Sequence, residues 1–140
     1  MPRQIQQYCQ QTGQAIPRTE GEIFRCIAES LALRYRFVLE HIEDLVLKRF
    51  SGLHIVGGGS QNTLLCQYTA NALGRAVWAG PVEATAIGNL LVQYISLGYL
   101  ENLQQARYLV RQSFPIHTYQ PYQVSQWDDA YTRFLQVIQA

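Results

Sequence analysis

Three consecutive glycines, Gly57-Gly58-Gly59, followed by Ser60, Gln61 and Asn62, are the residues of this chain best placed to do chemistry with a backbone. They follow the short apolar run Leu53-His54-Ile55-Val56 and precede a helix-like segment, Thr63 to Ala72. Strand, glycine turn and helix is an arrangement by which main chain approaches a phosphate or a flat ring. Glycine has no side chain to hold the ligand off and reaches positive φ at little cost. The helix start presents unpaired N–H groups. Two readings stand side by side here: a ligand cradle, or a turn that only closes a strand–helix corner. Two named phosphate motifs are excluded. A dinucleotide fingerprint would need glycine where Asn62 stands, and a P-loop would need Gly-Lys-Ser/Thr.

Other chemical candidates are weaker. Glu83 falls near the start of a helix, where the helix dipole alone accounts for an acid. Asp128 and Asp129 sit early in the last helix, where capping or solvated roles suffice. His41, His54 and His117 show no metal-ligand spacing. His54, between Leu53 and Ile55, reads as a sheet-packed, hydrogen-bonded histidine. Trp78 reads as a covered strand residue, with adenine stacking as the other option. Tyr119 and Tyr122 flank Pro121 and read as loop packing.

The elements that must hold the glycine turn follow from periodicity. Residues Pro2 to Gln11 form a short surface helix stopped by Gly13, within a surface segment 1–18. Thr19-Glu20-Gly21-Glu22 is a capping box. Behind it Ile23, Ile27, Leu31, Tyr35, Val38, Ile42 and Leu45 recur at helical spacing. The helix from Glu20 to about Lys48 would be roughly 43 Å long at 1.5 Å per residue. That stripe is expected to face a sheet, with Arg25, Glu29, Arg36, Glu40 and Glu43 on the solvated side. Leu53–Val56 and Ala76–Ala79 are short strands, and Gly74 is a C-cap between them. Gly80-Pro81-Val82-Glu83 is expected to open a helix reaching Leu97, with proline in its first turn. Residues 52–97 thus read as a βαβα unit with parallel strands and a right-handed crossover. A helix over Leu103–Gln112, an extended loop over Ile116–Val124 and a last helix from near Ser125 complete an α/β chain.

Composition narrows the function classes. With 140 residues the chain makes one domain. A net charge of +1 from scattered residues gives no footprint for nucleic acid. No apolar run approaches the roughly 20 residues of a membrane span, and no apolar leader follows Met1. Cys9, Cys26 and Cys66 are odd in number and widely spaced, so no disulfide framework is expected, and a cytoplasmic chain is.

The segments HIVGGGSQNTLLCQYTANALGRAVWAGPVEATAIGN, IPRTEGEIFRCIAESLALRYRFVLE and SFPIHTYQP resemble the C-terminal lobe of the FGGY family of carbohydrate kinases. The resemblance runs from about Ile16 to the final helix. It implies residues 19–140 as part of an actin/hexokinase-like (ribonuclease H-like) ATPase lobe that binds ATP or ADP with Mg²⁺ and phosphorylates a sugar hydroxyl. It also implies Gly57, Gly58, Gly59, Ser60 and Asn62 as nucleotide-binding residues, with Asn62 reaching the adenine. Members of the family are several times longer. Their sugar pocket, phosphate-binding hairpins and catalytic aspartate belong to an N-terminal lobe that is not in this sequence. The chain alone is therefore expected to be inactive and to need a separate N-terminal kinase lobe. The alternative is a non-catalytic remnant that self-associates and binds nucleotide weakly or not at all. Without the preceding strands, an open sheet edge and a bare stripe are expected to make a homo-oligomer through the first strand or Ile27, Leu31 and Tyr35.

Overall fold

The computed structural model describes residues 1–139, which form six α-helices and one small sheet. Helix α1 (Pro2–Gln11) precedes the long α2 (Glu20–Val46). Strand β1 (Gly52–Ile55), a 3₁₀ turn (Gly57–Gln61), α3 (Thr63–Leu73) and β2 (Ala76–Ala79) form the central crossover. Helices α4 (Ala84–Ser96) and α5 (Leu103–Ser113), strand β3 (His117–Tyr119) and α6 (Val124–Gln139) follow.

Local chemistry sets these boundaries. Thr19 accepts from the Glu22 amide while Glu22 accepts from the Thr19 and Arg18 amides, so the capping box starts α2 as expected. Leu47, in the left-handed region, ends it. Asn62 caps α3, and Gly74 at φ +61° closes it.

β1 and β2 are parallel, as the βαβ reading requires. The sheet has a third member, however. Ile116–Val124, expected as an extended loop, contains β3, which pairs antiparallel with β2. The sheet order is β1-β2-β3, so β2 is central and residues 80–116 form a helical arm between two adjacent strands. One sheet face carries Leu53, Ile55, Val77, Ala79 and Tyr119 and packs with Cys66 and Ala70 of α3. Val77 is fully buried there, a burial that contributes about 1.5–3 kcal/mol. By strand alternation Gly52, His54, Trp78 and Thr118 lie on the other face. His54 is therefore on that open side, its ring stacked on Trp78 at 5.1 Å. A Cβ at Gly52 would overlap the Ala76 carbonyl and meet the Trp78 ring at 2.7 Å, so only glycine lets the indole lie there.

The long helix is rotated from the sequence expectation. Its buried residues are Ala28, Ala32, Leu33, Leu39 and Glu43, whereas Leu31, Val38, Ile42 and Leu45 are exposed. Ala32 and Leu33 meet Ala72 of α3 and Tyr131 of α6 in a second cluster. Three residues expected in solvent make the joints. Glu43, only 6% exposed, takes Arg75 Nη1 at 2.5 Å and Nη2 at 3.1 Å, and the Phe50 amide at 2.6 Å. Arg36 pairs with Glu40 at 2.8 Å and Asp128 at 2.6 Å and donates to the Ala72 carbonyl at 3.0 Å. Tyr131 donates to Glu40 at 2.6 Å, which completes a join between α2, α3 and α6.

The Arg75 guanidinium and then the Phe50 amide hold the Glu43 carboxyl below its ordinary value of 4.5. A depressed carboxylate pKa contributes stability that is present above about pH 4.5 and is lost as pH falls through the folded-state value. Glu43→Gln is expected to lower the Tm by several degrees at pH 7, with the gap to the parent narrowing steadily below pH 4.5. Thermal unfolding followed by circular dichroism across pH 3–7 is the check, and equal Tm values at pH 7 would contradict it.

Candidate functional site

The glycine turn stands at the end of β1, where the carboxyl ends of parallel strands leave a crevice in α/β sheets. It is not a direct strand-to-helix step. Gly57–Gln61 makes a 3₁₀ turn, and α3 begins only after Asn62. The Ser60 hydroxyl donates to the Gly57 carbonyl at 2.7 Å, and the Asn62 amide donates to the Gly59 carbonyl at 3.2 Å. Ser60 is buried, and its side chain serves the turn.

A second segment flanks the turn and was missed as part of the site in the sequence. Gly80 donates to the Ile55 carbonyl at 2.8 Å, and Gly57 donates to the Pro81 carbonyl at 3.1 Å. Gly80-Pro81 does not open α4 as expected. That helix starts at Ala84 with Glu83 as its N-cap, and Pro81 lies outside it beside the glycine turn. The Gly-Pro pair was the available signal, since it marks a turn as readily as a helix start. Gly80 is at φ +117°, and a Cβ there would sit 2.8 Å from the Pro115 carbonyl, so the two feet of the helical arm touch at this point.

The three glycines are not equivalent. Gly57 has φ +74°, so the backbone itself demands glycine. At Gly58 a Cβ would meet nothing within 4 Å, and at Gly59 only an ordinary contact with Ile55 at 3.7 Å. Neither lies in the left-handed region. Nothing inside the fold requires glycine at these two positions, and both are exposed.

Asn62 is exposed, and its Oδ1 accepts from the Leu65 amide at 3.0 Å. The carboxamide nitrogen is then directed away from the cap and is a donor for an acceptor outside the helix. By helix geometry the Thr63 and Leu64 amides have no partner within α3. The turn thus combines open backbone over two glycines, helix-start amides and one amide donor. Trp78 and His54 lie on the sheet's other face, with burial and then the Arg111 charge lowering the imidazole's pKa. Among the described residues no group of three or more His, Cys, Asp and Glu could hold a metal ion. Among the described residues no helix is long and apolar enough to cross a membrane.

The chain as a whole is similar to known proteins. Residues 1–97 match the FGGY family of carbohydrate kinases, C-terminal domain. Rhamnulokinase of Bacteroides thetaiotaomicron is 48% identical over 134 residues, which is 96% of this chain and 28% of that protein. Rhamnulokinase of Bacillus subtilis is 46% identical over 121 residues, 86% of this chain and 25% of that protein. Rhamnulokinase of Pectobacterium atrosepticum is 40% identical over 134 residues, covering 96% and 27%. The chain spans about a quarter of the length of these relatives.

Substitutions should separate the glycines by role. Gly57→Ala is expected to cost about 1–2 kcal/mol, the penalty of a left-handed non-glycine residue. Gly58→Ala should leave stability within about 0.5 kcal/mol of the parent. Asn62→Ala should cost about 1 kcal/mol through loss of the cap. Urea unfolding of the three variants tests this ordering, and an equal cost at positions 57 and 58 would refute it.

Proposed function

Because the chain belongs to the FGGY family of carbohydrate kinases, we propose that it forms part of the nucleotide side of a rhamnulokinase-like enzyme that phosphorylates L-rhamnulose from ATP. The observation that carries this reading is the open space over Gly58 and the room for a side chain at Gly59, so that neither packing nor backbone strain in the fold explains the two glycines. A flat or anionic ligand seated on bare main chain does explain them.

In this reading Gly57, Gly58 and Gly59 border the adenosine and its adjacent phosphate, with the backbone of Ser60 beside them. Asn62 presents its carboxamide nitrogen to a ring acceptor of the adenine while Oδ1 stays on the cap. Phosphoryl transfer is mainly positioning and charge neutralisation. This chain's share is positioning: a rigid turn, fastened on one side to Pro81 and on the other to α3, fixes where the nucleotide lies. Mg²⁺, where it accompanies the nucleotide, would neutralise charge on the phosphates. The sugar site and the base that orients its hydroxyl would come from the three-quarters of a rhamnulokinase that the chain does not span. The lobe would be of the actin/hexokinase type and the enzyme cytoplasmic. Identities of 40–48% favour this reading over a degenerate remnant.

The isolated chain should bind ATP or ADP weakly, at about −5 kcal/mol or less favourably, because only one side of the nucleotide is held. Gly58→Val and Asn62→Ala should each weaken that binding, the first without loss of stability. Titration calorimetry on the three proteins is the test, and identical affinities would place the nucleotide elsewhere. Rhamnulose-dependent ADP release should be undetectable for the chain alone.

A further inference from the structure

The Gly58 amide is the donor of the glycine turn that the fold does not use. The Gly57 amide is engaged by the Pro81 carbonyl at 3.1 Å. A partner for Gly58 three residues back would be the Ile55 carbonyl, which lies before the turn and already accepts from Gly80 at 2.8 Å. The direction of the Gly58 amide is set by the peptide it shares with Gly57. That peptide is trans, so its N–H and C=O point opposite ways. The carbonyl end accepts from the Ser60 hydroxyl at 2.7 Å, and Ser60 is only 7% exposed. In a 3₁₀ turn the same carbonyl also faces the Ser60 amide, but such bonds are poorly aligned. With glycine on both sides, this is the peptide of the turn most easily turned over, because positive φ at Gly58 costs little. Turned over, it would present a carbonyl oxygen where the amide now stands.

We propose that Ser60 is a positioning residue: its buried hydroxyl holds the Gly57–Gly58 peptide so that the Gly58 N–H faces the nucleotide's phosphate. The inference rests on the nucleotide reading above and gives Ser60 a role through Gly58, not by touching the ligand. In one orientation of this peptide an anion meets a donor, and in the other it meets oxygen lone pairs, so attraction becomes repulsion. The open space over Gly58 leaves the outward amide within reach of a ligand. The neighbouring carbonyls are answered from inside as well. The Asn62 amide donates to the Gly59 carbonyl at 3.2 Å. The Cys66 thiol, fully buried, lies 3.8 Å from the Gly59 and Ser60 carbonyls alike. The Ser60 hydroxyl is the side-chain donor that acts on the Gly57–Gly58 link itself.

The test uses the isotope-labelled 140-residue chain with its Ser60→Ala and Ser60→Thr variants, followed by nuclear magnetic resonance. The Overhauser contact between the Gly57 α-hydrogens and the Gly58 amide hydrogen depends on the rotation of this peptide and reads it with no ligand present. Ser60→Thr, which keeps the hydroxyl, should leave that contact as in the parent. Ser60→Ala should change it, or broaden the Gly58 amide signal by exchange between two orientations. Titrated with ADP, Ser60→Ala should bind at least about fivefold more weakly, because apparent affinity falls with the fraction of competent turns. Ser60→Thr should restore the affinity. An unchanged contact and unbroadened Gly58 signal in Ser60→Ala overturn the proposal, as does an ADP affinity equal to the parent's. Equal weakening by alanine and threonine, with the contact intact in both, assigns Ser60 to packing alone and also overturns it. Should Ser60→Ala fail to fold, Ser60→Cys, with its weaker donor, is put to the same two measurements. A parent that holds this orientation yet shows no shifts with ADP counts against the nucleotide reading and leaves the peptide lock standing.

Discussion

The pairing of Glu43 with Arg75 is the constraint on which the central crossover depends. A carboxylate almost removed from water is tolerable only when its charge and lone pairs are answered. Here a guanidinium fork answers both oxygens, and the Phe50 amide adds a third donor. The same Arg75 nitrogen that meets Glu43 also donates to the Phe50 carbonyl at 3.0 Å. One knot therefore fixes the end of α2, the approach to β1 and the approach to β2. Both strands begin within a few residues of it, so their parallel register, and hence the height of the glycine turn above the sheet, is set from this end.

Arg36 plays the matching part on the helical side. Its guanidinium lies 4.1 Å from the centre of the Tyr131 ring and gathers Glu40, Asp128 and the Ala72 carbonyl near the end of α3. Asn71, fully buried, accepts from the Tyr122 amide at 3.0 Å and holds the chain after β3 against α3. α3 is thus gripped on several sides. Its first turn, which borders the candidate site, is the free end of a well-anchored element, the condition under which backbone donors can wait in place for a ligand.

Signals carried by neighbouring residues were legible in the sequence: the Thr19–Glu22 box, the helix α3 from Thr63 with Gly74 closing it, the two parallel strands and the glycine turn after the first of them. Relations set by distant partners were not. Periodicity located α2 but could not say which side of it would be covered, because its apolar residues span more than one face. Glu43 reads as solvated until Arg75, 32 residues away, is brought to it. β3 is three residues long, too short for alternation to speak, and exists because β2 offers an edge. The glycine run was visible as a run only. That Gly57 is required by φ, while Gly58 and Gly59 have room for a side chain, is information held in the backbone geometry.

The helical arm between β2 and β3 has a consequence for the molecule's lifetime. α4 has no buried side chain, and α5 buries only Ala106. Leu97 and Tyr99 at the tip are 69% and 74% exposed. Isolated helices of this length are marginal in water, so the arm opens at a free-energy cost far below that of the core. Cleavage by a protease follows the population of locally opened chain when opening is fast. Cleavage within residues 80–116 would therefore follow the local opening of the arm and not the strength of the sheet.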